Sequence, residues 1–236
     1  NGENAAHGFG ITQKICEEFY EHGVDVVTLG NHSWDQREIM NVIDQEPRLL
    51  RPLNYPEGTP GRGIHLYELK DGRKFLVAQV MGKLFMPPIE NAFTTIEQAL
   101  GQYKAGVDFQ ACLVDIHAEA TSEKMALGHF LDGRVSLVAG THSHVPTADA
   151  QILPNGTAYQ TDVGMCGDYD SVIGMVKDVP VNRFVDPNSK GRLEPAKGEG
   201  TLCAVYVESD DETALATRIE PVRIGGRLSP VIPTLS

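Results

Sequence analysis

One segment reads Val135-Ser136-Leu137-Val138-Ala139-Gly140-Thr141-His142-Ser143-His144, an apolar run that passes directly into a turn with two histidines. The apolar part predicts a buried strand over Val135–Ala139. His142 and His144 are two residues apart, so in extended backbone both side chains emerge on the same face. Ligands bind at the carboxyl ends of strands in open α/β sheets. The segment therefore indicates an α/β fold with a site at one edge of its sheet.

The same pattern occurs at two earlier points in the chain. Val24–Leu29 reads as a buried strand that ends at Gly30-Asn31-His32, and Phe109–Ile116 reads as a strand that ends at His117. Glu3-Asn4 adds a carboxylate and an amide near the start of the sequence. If these strands lie side by side, their polar ends converge on one site.

Helices and hairpins fill the intervals between these strands. Two hairpins are predicted, at Asp71-Gly72 and at Asn155-Gly156, because each dipeptide separates two extended runs. The spacing of Ile11, Ile15 and Phe19 predicts one helix, and further helices are predicted over Ser33–Asp44, Thr94–Tyr103 and Thr121–Leu131. Later in the chain, strands are predicted over Leu202–Val207 and Ala214–Ile224, and a long loop is predicted over Val179–Gly200. This alternation favours mixed sheets in a single domain spanning residues 1–236.

Composition excludes several classes of protein. The chain has 236 residues, 41% of them hydrophobic, and its apolar runs are far shorter than the roughly 20 residues of a membrane span. A formal net charge of −12 argues against binding bulk nucleic acid, because such affinity comes mainly from Lys and Arg. A small phosphate ester stays possible if metal cations attract it. The four cysteines are widely spaced, which indicates reduced thiols and a cytoplasmic protein.

The donor types indicate catalytic metals. Imidazole suits Zn, Fe, Mn, Co or Ni, whereas carboxylate and amide oxygens favour harder ions, and the absence of cysteine disfavours structural zinc. A bridging carboxylate flanked by imidazoles can hold two cations about 3.5–4 Å apart for hydrolysis at phosphorus. Each motif alone is also found in ordinary turns, so the prediction depends on all of them falling at one sheet edge.

Several motifs, taken in order, resemble those of the calcineurin-like metallophosphoesterases. They are Asn1-Gly2-Glu3-Asn4-Ala5-Ala6, Leu29-Gly30-Asn31-His32, Asp115-Ile116-His117-Ala118-Glu119 and Gly140-Thr141-His142-Ser143-His144-Val145-Pro146. Thr161-Asp162-Val163-Gly164-Met165-Cys166-Gly167 and Asp170-Ser171-Val172-Ile173-Gly174-Met175 resemble the later signature of the bacterial YmdB-like branch.

This resemblance implies a four-layer α/β/β/α sandwich with two mixed sheets and a dinuclear iron or manganese centre. It implies a phosphodiesterase acting on small phosphodiesters, notably 2′,3′-cyclic nucleotides, through a metal-activated hydroxide. His32 would be the general acid. The implied metal ligands are Glu3 as the bridge, Asn4 and His144 on one side, and Asn31, His117 and His142 on the other.

One family feature is absent from the sequence as given. The family opens with a strand that carries an Asp-x-x-Gly motif, whose aspartate shares a metal with Asn4 and His144. We expect a strand–helix–strand unit of roughly 30 residues or more to precede Asn1.

Other interpretations stay open at this point. One is a regulatory protein that binds nucleotide and metal in the same pocket with little or no turnover, and another is a metal-dependent amide or ester hydrolase. A monomer and a homo-oligomer are both compatible with the sequence. Asp35 could act on His32, and the carboxylates that could support metal-bound imidazoles are Asp115, Asp149 and Asp162.

Overall fold

The structure is a computed structural model that describes residues 1–234. Its strands are β1 (Val27–Thr28), β2 (Leu49–Leu50), β3 (Ile64–Glu68), β4 (Lys74–Met81), β5 (Ala111–His117), β6 (Leu137–Thr141), β7 (Gln151–Ile152), β8 (Ala158–Gln160), β9 (Leu202–Ser209) and β10 (Ala216–Ile224). Its helices are α1 (Gln13–Glu21), a 3-10 helix (Arg37–Asn41), α2 (Ala92–Leu100), α3 (Thr121–Phe130) and α4 (Asp178–Val185).

Six strands form a mixed sheet in the order β3-β4-β5-β6-β8-β7. The inner strands β4, β5, β6 and β8 are parallel, whereas β3 and β7 join the edges in antiparallel orientation. In register, His117 at the end of β5 lies opposite Thr141 at the end of β6. The two strands that precede the predicted histidine motifs are therefore neighbours whose carboxyl ends coincide.

Two smaller pairs complete the strands of the described chain. β1 and β2 are parallel, and β9 and β10 form an antiparallel ribbon. The predicted mixed α/β architecture is confirmed, and the strands outside the six-stranded sheet form these two pairs.

The two faces of β5 have different roles. Val114 and Ile116 are fully buried in the main apolar core with residues of α2 and α3. Asp115 and His117 alternate with them and so emerge on the opposite face. A second apolar cluster, which includes Ile11, Leu29 and Ile39, packs α1 and the 3-10 helix beside β1. One face of β5 thus anchors the sheet while the other carries polar groups.

Most predicted elements are present. Both predicted hairpins form, since β3 and β4 flank Asp71-Gly72, and β7 and β8 flank Asn155-Gly156. The helix over Thr121–Leu131 and the two late strands also agree with the structure to within about two residues at each end.

The predicted helix over Ser33–Asp44 is wrong. Only the 3-10 helix Arg37–Asn41 forms, because the Ser33 hydroxyl donates to the Gly30 carbonyl and the His32 N–H is held by Glu3. These contacts keep the first residues of the segment in a turn around Glu3.

Two further details differ. Helix α2 begins after Asn91, whose side chain accepts from the N–H groups of Phe93 and Thr94, so the helix starts two residues before the predicted Thr94. Helix α4 lies largely within the stretch Val179–Gly200, for which the sequence predicts a loop. It contains Pro180 in its first turn, where a helix tolerates a residue without an N–H. No helix of residues 1–234 has the length and apolar character needed to cross a membrane.

Candidate metal centre

Three strand ends bring amide and imidazole groups together. Asn31 follows β1, His117 ends β5, and His142 follows β6. The Nε2 atom of His117 lies 2.8 Å from Asn31 Oδ1 and 3.2 Å from His142 Nδ1. The predicted convergence of these three residues, which are up to 111 positions apart in the chain, is therefore present in the structure.

Glu3 is buried against this group. It is only 2% exposed, and its Oε1 lies 3.1 Å from His117 Nε2 while its Oε2 accepts the His32 N–H at 3.1 Å. Burial by itself would raise the pKa of Glu3, but the attraction of His117 and these hydrogen bonds outweigh it and lower the pKa to about 2. The carboxylate is therefore ionised, which is the form that binds a cation.

Among residues 1–234, the carboxylate and imidazole donors of Glu3, His117 and His142 lie within 4.8 Å of one another. An ionised carboxylate with two imidazoles is a donor set that divalent transition metals prefer. Burial, reinforced by the charge of His117, lowers the pKa of His142 and so favours the neutral imidazole that a metal requires. The cluster therefore fits a divalent metal ion.

Outer contacts fix which ring nitrogen faces the cluster. His117 Nδ1 lies 2.9 Å from the Thr141 hydroxyl, which donates to Asp115 at 2.7 Å, so Nε2 faces Glu3. His142 Nε2 lies 3.0 Å from a carboxylate oxygen of Glu119, so Nδ1 faces His117. Such carboxylate support orients an imidazole and raises its basicity as a ligand.

The sequence identified only part of this outer support. Asp115 was one of the three candidates and acts on His117 through Thr141, whereas Asp149 is bonded to Thr161, away from the imidazoles. Neither Thr141 nor Glu119 was predicted. The signal for Glu119 was its position two residues after His117, at the turn that follows β5.

Asn4 and His144 lie beside the cluster and do not enter it. Both are half-buried and line a cavity of about 610 Å³ that also reaches Glu3 and His142. Asn4 donates to the Gly8 carbonyl at 2.8 Å, and His144 Nδ1 is 3.0 Å from the Ile173 carbonyl, which leaves His144 Nε2 available. The structure therefore places these two predicted ligands in the same cavity as Glu3 and His142.

His32 stands next to the cluster through its backbone. Its ring packs edge-on against Phe9 at 5.2 Å between centroids, and its Nδ1 lies 2.8 Å from Asp35 Oδ2. Asp35, whose direction the sequence left open, therefore faces His32 and leaves Nε2 as the available ring nitrogen.

Gly30 shows how closely the cluster is packed. A Cβ atom on this residue would overlap Glu3 Oε2 and would lie 2.5 Å from His117 Nε2, inside any tolerable contact distance. Only glycine lets the backbone after β1 approach the carboxylate and imidazole so closely.

The turn that carries the two later histidines has unusual backbone geometry. His142 and His144 adopt φ values of 95° and 65°, a region that costs a residue with a side chain about 1–3 kcal/mol. Such conformations persist where surrounding contacts impose them. Contacts from other parts of the chain therefore hold this turn in its strained conformation.

Comparisons with known proteins agree on one family. The model of the YmdB-like protein family matches residues 1–222. The 2′,3′-cyclic-nucleotide 2′-phosphodiesterase of Bacillus subtilis (strain 168) is 46% identical over 224 residues, which cover 95% of this chain and 83% of that protein.

Two solved structures have the same fold. A hypothetical protein from Thermus thermophilus superposes with a TM-score of 0.88 at 44% identity, covering 96% of this chain and 86% of the other. A structure described as a novel phosphatase from Mycoplasma pneumoniae gives a TM-score of 0.85 at 34% identity, covering 94% and 80% of the two chains.

Proposed function

This chain belongs to the YmdB-like protein family and is a phosphoesterase, and we propose that it hydrolyses 2′,3′-cyclic nucleotides. The 46% identical Bacillus subtilis relative bears that activity in its name, and the match extends over 95% of this chain. The observation that carries the proposal is the cluster of Glu3, His117 and His142, whose donor atoms lie within 4.8 Å of one another at the sheet edge.

Two metal ions are part of this proposal. Glu3 would bridge them, with Asn31, His117 and His142 on one side and Asn4 and His144 on the other. When bound, the ions would offset the charge that develops at phosphorus and lower the pKa of an attacking water. Iron or manganese suits this mixture of imidazole, carboxylate and amide donors.

The chain itself prepares the ligand atoms. Thr141 and Asp115 hold the His117 ring with Nε2 towards Glu3, and Glu119 holds His142 with Nδ1 towards the same point. Because the outer nitrogens are already bonded, the inner nitrogens need little reorientation to bind a cation.

His32 is proposed as the proton donor to the leaving alkoxide. In the imidazolium form Nδ1–H donates to Asp35 and Nε2–H carries the proton for the leaving oxygen. The bond from the His32 backbone N–H to Glu3 keeps the ring beside the proposed bridging carboxylate. A proton delivered there would neutralise the oxygen that departs when the cyclic diester opens.

The proposal extends to the cellular setting. The relative named above is bacterial, and the four cysteines are free, as expected in a reducing compartment such as the bacterial cytoplasm. We also propose that residues 1–236 form one domain and that its substrate is a small phosphodiester.

The test is turnover of 2′,3′-cyclic AMP by the purified protein with Mn²⁺, followed by chromatography of the nucleotide product. We expect ring opening to a nucleoside monophosphate, loss of activity with a chelator, and loss in His117→Ala. His129→Ala is the matched control, because His129 is exposed at the far end of α3.

Two results would contradict the proposal. Tight nucleotide binding without product would identify a regulatory binding protein. Faster hydrolysis of an acyl ester such as p-nitrophenyl acetate than of bis(p-nitrophenyl) phosphate would identify a different hydrolase.

A further inference from the structure

Lys124 is a fully buried cation that the reaction outlined above does not use. It lies on α3, is 0% exposed, and its Nζ is 2.8 Å from Asp162 Oδ2 and 2.8 Å from Ser143 Oγ. Lysine is almost never fully buried unless it is paired, because removing its charge from water is expensive. A lysine in this position therefore needs a specific reason.

Asp162 connects this cation to the backbone of the histidine turn. Besides Lys124, its Oδ2 accepts the Ser143 N–H and the Ser143 hydroxyl, each at 3.0 Å, and its Oδ1 accepts the Gly164 N–H at 2.9 Å. Asp162 is only 1% exposed, so these bonds form away from water. Ser143 is thus held by three hydrogen bonds. Its N–H and its hydroxyl donate to Asp162, and its hydroxyl accepts from Lys124.

Ser143 is the centre of the strained turn. Its neighbours His142 and His144 both have positive φ, and both line the cavity of the candidate metal centre. Without external support such a turn would relax, and relaxation would change the direction of both imidazoles. The residue between the two histidines is also the one that Asp162 and Lys124 hold.

The backbone of Asp162 strengthens the same anchor. Its N–H donates to the Thr147 hydroxyl at 2.9 Å, and its carbonyl accepts the Thr147 N–H at 2.9 Å. The Val163 N–H donates to the Gly140 carbonyl at 2.9 Å. The turn is therefore tied to the segment after β8 both before His142 and after His144.

We propose that Lys124 is a positioning residue that acts through Asp162 and Ser143 to hold His142 and His144 in the orientation that binds metal. The proposal rests on the proposed function, because it assumes that these imidazoles are ligands. Lys124 reaches neither substrate nor metal in this role.

A purely structural role explains the arrangement less well. Replacing a buried ion pair by apolar side chains of similar size is often neutral or stabilising, so stability alone gives little reason to keep one. The bonds of this pair are also directed at the turn, whereas neighbouring Leu127 on the same helix packs into the main apolar core.

The test compares Lys124→Met with wild type in Mn²⁺ titrations of the metal-free protein. Loss of an outer support of a metal ligand typically weakens metal affinity about 10- to 100-fold, and we expect a loss in that range. The visible absorption of the Co²⁺-substituted protein should also change, because it reports ligand geometry directly. Leu127→Ala is the matched control: it is equally buried on the same helix, and it should lower thermal stability while leaving Mn²⁺ affinity and the Co²⁺ spectrum as in wild type.

Two further variants guard against loss of folding in Lys124→Met. Lys124→Arg keeps the charge and should recover part of the Mn²⁺ affinity. Ser143→Ala leaves the ion pair intact but removes the hydroxyl that bonds to both partners. We expect roughly 5- to 30-fold weaker Mn²⁺ binding, because two hydrogen bonds are lost.

The outcomes separate this proposal from the proposed function. Mn²⁺ affinity and a Co²⁺ spectrum as in wild type for both Lys124→Met and Ser143→Ala would overturn the positioning role, even if the enzyme hydrolyses cyclic nucleotides. Weakened Mn²⁺ binding in these variants would support it, even if wild type proved inactive on cyclic nucleotides. A wild-type protein that binds no metal would overturn both.

Discussion

His32 is held beside the candidate metal centre by its backbone N–H, while its ring is oriented by Asp35. Because its ring nitrogens are not part of the donor cluster, we expect His32→Ala to retain metal. Loss of a general acid typically costs about 10²–10⁴-fold in rate, so kcat on a 2′,3′-cyclic nucleotide should fall by that factor. Metal analysis of the same sample is the control, and loss of metal in His32→Ala would show that His32 is a ligand.

At Gly30 the backbone lies directly against the donor groups of Glu3 and His117. In Gly30→Ala the new methyl group would meet Glu3 and His117 inside contact distance, so one of them must move away. We expect Mn²⁺ affinity to fall by roughly tenfold or more, in line with a disturbed ligand. Gly101→Ala at the end of α2 is the control, because Gly101 also has a φ outside the positive region and a Cβ there would come no closer than 3.3 Å to a neighbouring atom. Equal Mn²⁺ affinity in wild type and Gly30→Ala would contradict the packing described here.

Residues at strand ends could be predicted, whereas their supporting contacts could not. Asn31, His117 and His142 all follow apolar runs, and the pairing of β5 with β6 places His117 beside the start of the turn that carries His142. Asn31 comes from β1, which pairs with β2 outside that sheet. Lys124 and Glu119 act through side chains whose directions depend on α3 and on the turn after β5. Nothing in a helix-like stretch around Lys124 indicates that this lysine, among its polar neighbours, would face inward.

The segment from Gly164 to Met175 lines the cavity, and the Tyr169 hydroxyl is one of the groups that hold it in place. The Tyr169 hydroxyl lies 3.1 Å from the His144 carbonyl, 3.1 Å from the Met165 carbonyl and 3.3 Å from Cys203 Sγ. The same segment supplies the Ile173 carbonyl that bonds to His144. This element therefore couples the cavity wall to one of the proposed ligands.

Tyr169→Phe should loosen that element. Removing the hydroxyl leaves partly buried partners without a hydrogen bond, at a cost of about 1–2 kcal/mol, or roughly 2–8 °C in Tm for a chain of this size. Hydrogen–deuterium exchange should increase between residues 164 and 176 and stay unchanged in β4 and β5. Faster exchange spread evenly over the chain would show that Tyr169 supports global stability instead.

At the level of elements, apolar runs predicted the parallel strands well, and long-range contacts explain the exceptions. The stretch from Ser33 to Asp44 has helical periodicity. However, the Glu3 carboxylate accepts a hydrogen bond from the His32 N–H, and the Gly30 carbonyl accepts one from the Ser33 hydroxyl. A contact with a residue 29 positions earlier therefore overrides a local preference.

The whole molecule should be more stable with metal than without it. A ligand that binds only the folded state at 100 times its Kd adds about 2.7 kcal/mol per site, so the two proposed ions should together raise Tm by roughly 10–20 °C. The measurement is thermal unfolding of chelated protein with and without added Mn²⁺. His117→Ala should show a much smaller increase, and an unchanged Tm in wild type would argue against a resident metal centre.

The donors of the metal centre are also far apart in the order of synthesis. Glu3 and Asn31 leave the ribosome more than 80 residues before His117, and the set within 4.8 Å is incomplete until His142 has emerged. A nascent chain therefore displays an acidic group and an amide long before it can enclose a cation with imidazoles. If the centre binds metal as proposed, metal loading is a late event in the biogenesis of this protein, because a chain that stops before β6 lacks His142.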